Sequence, residues 1–599
     1  MISQRSATYF CRLRLVAMRL LVGLACVAVN DAAARAGGGP ENLFLVVNPR
    51  SYESLTIANH YQAWRGIAGA NVFYLPWEGT TEITDLASFR EKILLPIFTE
   101  IGNRKLDQQI DYVVYSAGYP YGVTIREKRE GEMAEPVASL TSATYLYNLA
   151  IQNSPQLEGL QSNYYMRQPD SRVGDQPLGF SSAYRFDLLG RRVQARSGRA
   201  YMLSAMLGHT GNRGNTLTEI LTYLRSAISA DGSRPAGTIY FVRNDDRRST
   251  ARHDVFDEAA AAVRRAGIEA EVLTGVLPSN KRDVAGLCSG AANFSWAGSG
   301  SSLLPGAFCD NLTSFGGVLA GGRGQTQLSE FLRFGAAGAC GTVAEPTVHN
   351  KLQINGRPVE YQLKFPHPLV HAYYVSGCSL AEAFYQSIMG PYQQLLVGDP
   401  LCQPWAVPAE VHVAGLDVSQ PVSGSVELAP SAVSLRAPVD HFEFFVDGIQ
   451  LASCRDGESI SLDSTKLGDG VHELRVASIE ASPLETQGHA SALFRVDNQG
   501  RTIQLQRVDG GGVLTKEAFA VEVEAPNSSE ILLYLNREIV GKIAGDKGAL
   551  TIDPAKYGGG PLTFRALGLA ENADQRPVFS EPMIVESEIA LRQPVGDIP

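Results

Sequence analysis

Two histidines one helical turn apart are the first residues here whose type and spacing could do chemistry. His367 and His371 enclose the stretch HPLVH, and Pro368 suits the first turn of a helix. Both imidazoles would face one side of that helix, as paired metal ligands do. Histidines with carboxylates suit Zn²⁺ or a related ion. The other ligands of this predicted site would be Glu345, His349 and Asp399.

The same histidines have a purely structural interpretation. His367 would cap the helix, and His371 would pack under Tyr373 or Tyr374. No HExxH phrase accompanies the pair, so the structural interpretation is the better supported of the two.

A dense polar set in an apolar segment predicts a binding surface, because exposed loops commonly carry function. Residues 319–326 (LAGGRGQT) are rich in glycine but lack the Gly-Lys-Ser/Thr ending of a phosphate loop, which favours a turn. If this turn faces a crevice, it could offer backbone donors to an anionic group. No cofactor is predicted. The predicted binding residues are Asp310, Thr313, Ser314, Arg323, Gln325, Thr326 and Asp399.

The first 36 residues predict an export signal. Basic residues precede an apolar run at 15–29, and Ala34-Arg35-Ala36 fits the small-x-small cleavage pattern before Gly37. The run is too short and interrupted for a membrane span, which needs ~20 apolar residues. Lipidation at Cys26 is disfavoured but left open. We expect a periplasmic, cell-surface or extracellular protein without a transmembrane segment in its mature chain.

The net charge of the mature chain limits the classes of partner that it can be expected to bind. Removing the predicted signal takes away five Arg and one Asp and leaves 47 basic and 61 acidic residues, a net charge of −14. Binding to phosphate backbones needs clustered cations, so no nucleic-acid partner is expected. One basic cluster, at 243–252, is interleaved with aspartates and predicts a solvated loop with ion pairs. The six cysteines that remain allow many disulfide pairings, and none is preferred.

The elements that must position these residues alternate between strand and helix from 41 to 406. Apolar runs at 42–48, 71–75, 110–116 and 238–242 predict strands buried in a parallel sheet. Ser51 and Thr216 are predicted to cap helices over 52–64 and 217–229. After Pro408 the pattern changes to short alternating strands, which predicts immunoglobulin-like β-sandwiches at 409–497 and 501–588 and a loose tail at 589–599.

The α/β segment ends in GDPLCQPW, which resembles the phrase that closes the catalytic domain of gingipain-type cysteine peptidases in the caspase-like clan. A closer likeness is to a family of secreted, planctomycete-type bacterial proteins that has no established activity. The matching phrases are ANHYQAWRGI, RNDDRRSTAR, LTSFGG, GTVAEP, SLAEAFYQS and GDPLCQPW. The resemblance implies a caspase/gingipain-like α/β fold with helices on both faces of a mostly parallel sheet.

The peptidase resemblance also implies a catalytic dyad, with a His-Gly pair after one core strand and a cysteine after the next. Cys309 is the candidate nucleophile. Residues 292–296 (ANFSW) predict the preceding strand, so Ser299 takes the place of the histidine. A serine cannot act as the base at neutral pH. An imidazole would have to come from elsewhere, with His209 and His349 as candidates.

These observations predict an exported multidomain protein that binds a ligand or a cell-envelope partner on a non-catalytic, peptidase-like scaffold. Two alternatives stay open. One is a cysteine peptidase or other hydrolase that uses Cys309, and the other is a metal-dependent hydrolase.

Overall fold

A computed structural model describes residues 37–167, 176–193, 197–321, 324–347, 353–354, 357–358, 363–508, 514–515, 517–572 and 574–588. The predicted export signal and the predicted tail after residue 588 lie outside these ranges. Within the described part, no helix has the length and apolar character needed to cross a membrane.

A ten-stranded sheet forms the centre of the α/β domain. Its strands are short and almost entirely buried, as expected for a sheet covered on both faces. In chain order they are β1 Leu43–Val47, β2 Val72–Tyr74, β3 Tyr112–Tyr115, β4 Leu203–Met206, β5 Thr238–Arg243, β6 Glu269–Thr274, β7 Val284–Ser289, β8 Leu303–Asn311, β9 Gly338–Thr342 and β10 Gln394–Gly398.

The strand order in space is β6-β5-β7-β8-β9-β10-β4-β3-β1-β2. The strands β6, β5, β7, β8 and β9 pair in parallel, and so do β4, β3, β1 and β2. β10 joins the two groups: it is antiparallel to β9 and touches β4 at one bridge, Val397 with Met206. The loop after β8 meets the loop after β4, where the Arg213 amide donates to the Leu319 carbonyl at 3.2 Å. The predicted α/β domain with a mostly parallel sheet is therefore confirmed.

The helices that connect these strands begin and end at the predicted signals. The Ser51 hydroxyl accepts from the Ser54 amide at 3.1 Å, and Gly66 ends the first helix with φ +62°. Thr216 and Glu219 form a capping box. The helices are α1 Tyr52–Arg65, α2 Leu95–Asn103, α3 Leu140–Tyr145, α4 Tyr147–Ile151, α5 Leu217–Ser229, α6 Phe256–Arg265, α7 Ser329–Arg333, α8 Val370–Val375 and α9 Leu380–Gln386, with one-turn segments at Leu86–Phe89, Arg247–Thr250 and Trp296–Ser299.

One predicted strand is wrong. Residues 292–296 form a loop that leads into the turn Trp296–Ser299, and the core strand before β8 is β7. Phe294 stacks on Phe331 at 4.7 Å between ring centroids, and Trp296 packs edge-on against the same ring. The aromatic residues that made this segment look like a strand bury their side chains from a loop instead.

Two β-sandwich modules follow the α/β domain, each with its own hydrophobic core. In the first, β11-β12-β15 form one sheet, and in the second, β18-β19-β22 form one sheet. The facing strands of the two modules, β14-β13-β16-β17 and β24-β23-β20-β21 with β25, belong to one ten-stranded sheet, which continues from module to module where β16 pairs in parallel with β24. Their bounds are β11 Glu410–Ala414, β12 Ser425–Val433, β13 Val439–Val446, β14 Ile449–Arg455, β15 Ile460–Asp463, β16 Asp469–Glu480, β17 Gln487–Val496, β18 Gln504–Arg507, β19 Phe519–Glu524, β20 Ser528–Leu535, β21 Glu538–Ala544, β22 Lys547–Ile552, β23 Gly560–Ala570, β24 Val578–Phe579 and β25 Met583–Ser587.

Both modules are fastened to the α/β domain by hydrogen bonds. The Gln109 side chain donates to the Gly448 carbonyl at 2.8 Å and accepts from the Gln450 amide at 3.0 Å. The Asn59 amide group donates to the carbonyls of Tyr557 and Gly559 at 2.8 and 3.0 Å. Asn59, which belongs to the segment ANHYQAWRGI, thus contributes to the contact between α1 and the second module.

Candidate functional site

Cys309, the candidate nucleophile, lies inside a core strand. It belongs to β8, pairs with Leu287 and Ala339 on the two neighbouring strands, and is 0 % exposed. Burial, with a smaller contribution from the Asp310 carboxylate, raises the pKa of its thiol well above the ordinary value. A catalytic cysteine needs the thiolate and access to substrate, and this environment opposes both.

Of the two imidazole candidates, His209 gives Cys309 no base. His209 is buried; its Nε2 bonds the Thr81 carbonyl at 3.0 Å and its Nδ1 accepts from the Gly211 amide at 3.0 Å. Since a carbonyl only accepts, this ring is the neutral Nε2-protonated tautomer with both nitrogens engaged. Burial also lowers the pKa of His209. His349 lies outside the described residues.

The strand assignment moves the position expected for the histidine. β7 ends at Ser289, and Gly290 follows, so Ser289-Gly290 and not Ser299 stands after the strand that precedes β8. A Cβ on Gly290 would lie 2.5 Å from the Arg248 backbone, so only glycine fits there. Ser299 instead donates to the Trp296 carbonyl at 2.7 Å in its own turn.

The described residues of the predicted metal site do not come together, and His349 lies outside the described ranges. Among the described residues, no three His, Cys, Asp or Glu side chains lie close enough to hold a metal ion. His371 is fully buried between the rings of Phe241 and Phe308, and burial lowers its pKa to about 3. His367 Nδ1 accepts from the Leu369 amide at 3.2 Å just before α8. Glu345 accepts from the Thr347 amide at 3.1 Å within its own loop.

Asp310, a predicted binding residue, is a buried structural carboxylate. It is 1 % exposed and forms an ion pair with Arg252, which is also buried. Arg252 further donates to the carbonyls of Ser289 at 2.7 Å and Pro366 at 3.0 Å. The solvated-loop prediction for the basic cluster is therefore wrong at Arg252, although Arg248 does pair with Asp246 near the surface at 3.1 Å.

Asp399, the predicted binding residue of the closing motif, is also fully buried. Its carboxylate accepts from Arg65 Nε at 3.0 Å and from the Tyr61 hydroxyl at 2.8 Å, both on α1. Asp310 and Asp399 cannot reach a ligand from these positions. Both hold separate parts of the α/β domain together.

The remaining polar residues after β8 form a closed network. The Thr313 hydroxyl donates to Gln325 Oε1 at 2.5 Å and accepts from Arg248 Nε at 3.2 Å. The Thr326 hydroxyl accepts from the Phe294 amide at 3.0 Å. Ser314 and Gln325 are half-buried, and Arg323 lies outside the described residues. These hydrogen bonds tie Thr313, Gln325 and Thr326 to the loops around them.

A groove of about 520 Å³ lies elsewhere, between the α/β domain and the first β module. Its apolar walls include Leu369, Tyr373 and Leu484. Arg265 from α6 and Arg436 from the module stand exposed at its margin, and neither forms an ion pair with any described residue. Sequence patterns gave no signal for this site because its walls come from separate segments spread between residues 176 and 484.

We expect Cys309 to resist modification in the folded protein. Iodoacetamide should label it only after unfolding, and wild type and Cys309→Ala should take up the same amount of label under native conditions. Cys454 serves as the internal control, because it is the most exposed of the six described cysteines at 9 %. Peptide mass spectrometry measures each site, and labelling of Cys309 before Cys454 would contradict the assignment.

Comparisons with known proteins add little to this geometry. No family model and no curated protein matches the chain. Among solved structures, the fibronectin(III)-like modules of Clostridium thermocellum CbhA match at 11 % identity over 32 % of this chain and 100 % of theirs, with a TM-score of 0.12. The fibronectin-III array of RIM-binding protein matches at 13 % identity over 31 % of this chain and 71 % of its own (TM-score 0.13). Bacteroides uniformis β-glucuronidase 3 matches at 11 % identity over 39 % of this chain and 27 % of its own (TM-score 0.12). Likeness at these scores carries no argument about what this chain does.

Proposed function

We propose that this chain is an exported binding protein built on a non-catalytic caspase/gingipain-like scaffold, and that it binds its ligand in the groove between the α/β domain and the first, immunoglobulin-like module. The observation that carries the proposal is the groove itself, where Arg265 and Arg436 stand exposed beside apolar walls and form no ion pair with a described residue; Arg436 also donates to the Ser376 carbonyl at 3.2 Å. Small ligands are usually bound in concave, largely apolar sites of this size, often at domain interfaces.

The state of the peptidase positions supports binding over catalysis. The resemblance calls for a histidine after β7 and a reactive cysteine after β8. Ser289 occupies the first position, and Cys309 is buried before the end of its strand. A caspase-like domain with these residues retains a scaffold but, within the described part of the chain, has no dyad at this edge.

The groove favours a ligand that carries an anionic group on an apolar body. Arg265 and Arg436 can donate charge-assisted hydrogen bonds to a carboxylate. The Glu480 carboxylate, which also lines the groove, is already used: it accepts from the Ala437 amide at 2.9 Å and from the Ser434 and Ser482 hydroxyls at 3.0 and 3.2 Å. Glu258 is the remaining carboxylate of the lining, at the exposed start of α6. Acidic peptides of the cell wall have the required chemistry.

Replacing both arginines tests the site. Titration calorimetry of the Arg265→Ala, Arg436→Ala double variant against short cell-wall stem peptides with free carboxylates should show roughly 10- to 100-fold weaker binding than wild type. That range follows from about 1.5–3 kcal/mol for hydrogen bonds to charged groups. Affinity should also fall with added salt.

Two controls test whether the loss of affinity is specific to the two groove arginines and to the carboxylates of the peptide. The Arg282→Ala variant removes an exposed arginine at another surface and should bind as wild type does. The same peptides with amidated carboxylates should bind wild type as weakly as the double variant binds the acidic form. Unchanged affinity in the double variant, or no binding of any acidic peptide to wild type, would rule out the groove.

A further inference from the structure

The first described residues, Gly37 to Asn42, are clamped between the α/β domain and the first β module. The Tyr112 hydroxyl donates to the Gly37 carbonyl at 2.7 Å. Glu41 Oε1 meets His489 Nε2 at 2.6 Å, and its Oε2 meets Arg475 Nη1 at 3.3 Å, both on the module. The segment that would begin the mature chain is therefore part of the domain junction.

A buried carboxylate from α9 lies beside the first residue of this segment. Glu382 on α9 is 0 % exposed and accepts from the amides of Ser379 and Phe180, both at 2.8 Å. Among the described residues it has no ion pair with a Lys or Arg. A Cβ built on Gly37 would lie 1.9 Å from Glu382 Oε1 and 2.8 Å from Oε2, so the Glu382 carboxylate fills the space beside the Gly37 Cα where a side chain would lie.

We propose that the α-amino group of Gly37, freed by removal of the predicted export signal, forms a buried ion pair with Glu382 and locks the domain junction. Hydrolysis of the Ala36–Gly37 peptide bond by an export-coupled peptidase would consume one water, leave a carboxylate on Ala36 and give Gly37 a protonated amine. Before cleavage the same nitrogen is a neutral amide. Maturation thus supplies the cation that the carboxylate lacks.

The surroundings of Glu382 favour a cation. Burial raises the pKa of the Glu382 carboxyl to about 8. The other titratable groups that face it are Tyr112, Tyr165, Cys378 and Glu485. Burial raises the pKa of the two phenols and of the thiol well above their ordinary values, so these groups are neutral near pH 7. Glu485 makes a smaller contribution than burial to the raised pKa of Glu382, and it is itself paired with Arg192.

The pH dependence of stability follows from this pKa. Without the amine, protonation favours the folded state, so stability is lost as pH rises from the ordinary carboxyl value of 4.5 through about 8. With the amine, whose ordinary pKa is about 7.7–8.0, the carboxylate is paired and that loss is removed near neutral pH. The benefit of the free amine should therefore be small at pH 4.5 and large at pH 7.

The experiment compares two otherwise identical chains. One begins at Gly37 after removal of a tag by a protease that accepts glycine at the new terminus, and the other retains Ala36 as a single extra residue. Thermal midpoints are measured for both at pH 7 and pH 4.5, in wild type and in Glu382→Gln. We expect the extra alanine to lower the midpoint by about 3 °C or more at pH 7 in wild type, and by much less at pH 4.5 or in Glu382→Gln.

An equal loss in wild type and Glu382→Gln would overturn the ion pair, because it would reflect crowding by the extra residue alone. No loss in wild type at pH 7 would overturn it as well. Intact mass of the exported protein adds a separate check, and a mature terminus other than Gly37 would also refute the proposal. None of these outcomes depends on ligand binding, so they are independent of the test of the groove.

Discussion

Replacing Arg65 with alanine is expected to lower the free energy of unfolding by about 3–5 kcal/mol, because two buried carboxylates lose their cation. Arg65 on α1 forms ion pairs with Asp231 and Asp399, and all three side chains are 0 % exposed. Although burial alone would lower it, these two carboxylates raise the pKa of Arg65 well above its ordinary value. The ion pair between Arg65 and Asp399 links α1 to the motif GDPLCQPW.

The charge network explains both the size of the loss and its pH dependence. Burial raises the pKa of Asp231 to about 6 even beside Arg65. Without Arg65, the two carboxyls must take up protons in the folded state, which costs more as pH rises above their unfolded values. The deficit of Arg65→Ala relative to wild type should therefore be smaller at pH 4 than at pH 7.

An exposed pair provides the matched control. Arg50 and Glu78 lie 3.1 Å apart with side chains 65 % and 74 % exposed, and Arg50→Ala should cost about 0–1 kcal/mol. Urea unfolding followed by circular dichroism measures both variants. A loss under about 1 kcal/mol for Arg65→Ala would show that the buried network does not hold α1 to the end of the sheet.

Replacing Arg252 with alanine is expected to cost a similar amount, about 3–5 kcal/mol. Its partner Asp310 is buried between the thiols of Cys288 and Cys340, whose sulfurs lie 3.9 and 3.5 Å from the carboxylate oxygens. Asp310, with a smaller contribution from Cys288, raises the pKa of Arg252 against the effect of burial. The variant also loses two hydrogen bonds to backbone carbonyls, at Ser289 and Pro366.

A double variant separates the contribution of the two charges from that of the volume that the side chains fill. Arg252→Met with Asp310→Leu removes both charges and keeps an apolar filling, so it should recover much of the stability that either single change loses. The exposed pair Arg243–Asp257, with its atoms 3.3 Å apart, is the control for a surface charge. Guanidinium chloride unfolding of the cycle measures the coupling. Additive losses would mean that the two side chains act independently.

Local signals in the sequence predicted much of the fold. Ser51 and Thr216 place the starts of two helices, since caps depend only on nearby residues. Asp-Gly is likewise a local signal for a hairpin turn, and Asp447-Gly448 forms one between β13 and β14 with φ +49° and +82°. These features need no knowledge of distant contacts.

The roles of the acidic residues could not be predicted from local patterns. Arg65 and Asp399 are 334 positions apart, and Arg252 and Asp310 are 58 apart. In the sequence, each aspartate looks like a polar group at the end of a strand, which is also how a binding residue looks. Only the folded sheet brings the arginines to them and converts the predicted ligand contacts into buried ion pairs.

The candidate catalytic position depended on strand boundaries, which are the weakest part of any reading of sequence. β7 (VAGLCS) has one β-branched residue, Val284, and otherwise contains small or polar residues and a leucine, so it shows little of the composition that marks a strand. The aromatic loop at 292–296 has a stronger strand pattern but lies outside the sheet. The sequence pattern predicts the strand before Cys309 at 292–296 and so places the histidine position at Ser299. In the structure that strand is β7, so the position falls at Ser289. Cys309 lies inside β8 rather than after it.

Hydrogen exchange with mass spectrometry, in the presence of an acidic cell-wall peptide, tests the central claim most directly. The account predicts slower amide exchange in Phe256–Arg265 and in the module loops at 434–437 and 480–484, with the peptide recovered intact. Protection confined to the loop at 312–321, or recovery of a cleaved peptide, would contradict it, because either result would place binding or catalysis at the carboxyl edge of β7 and β8.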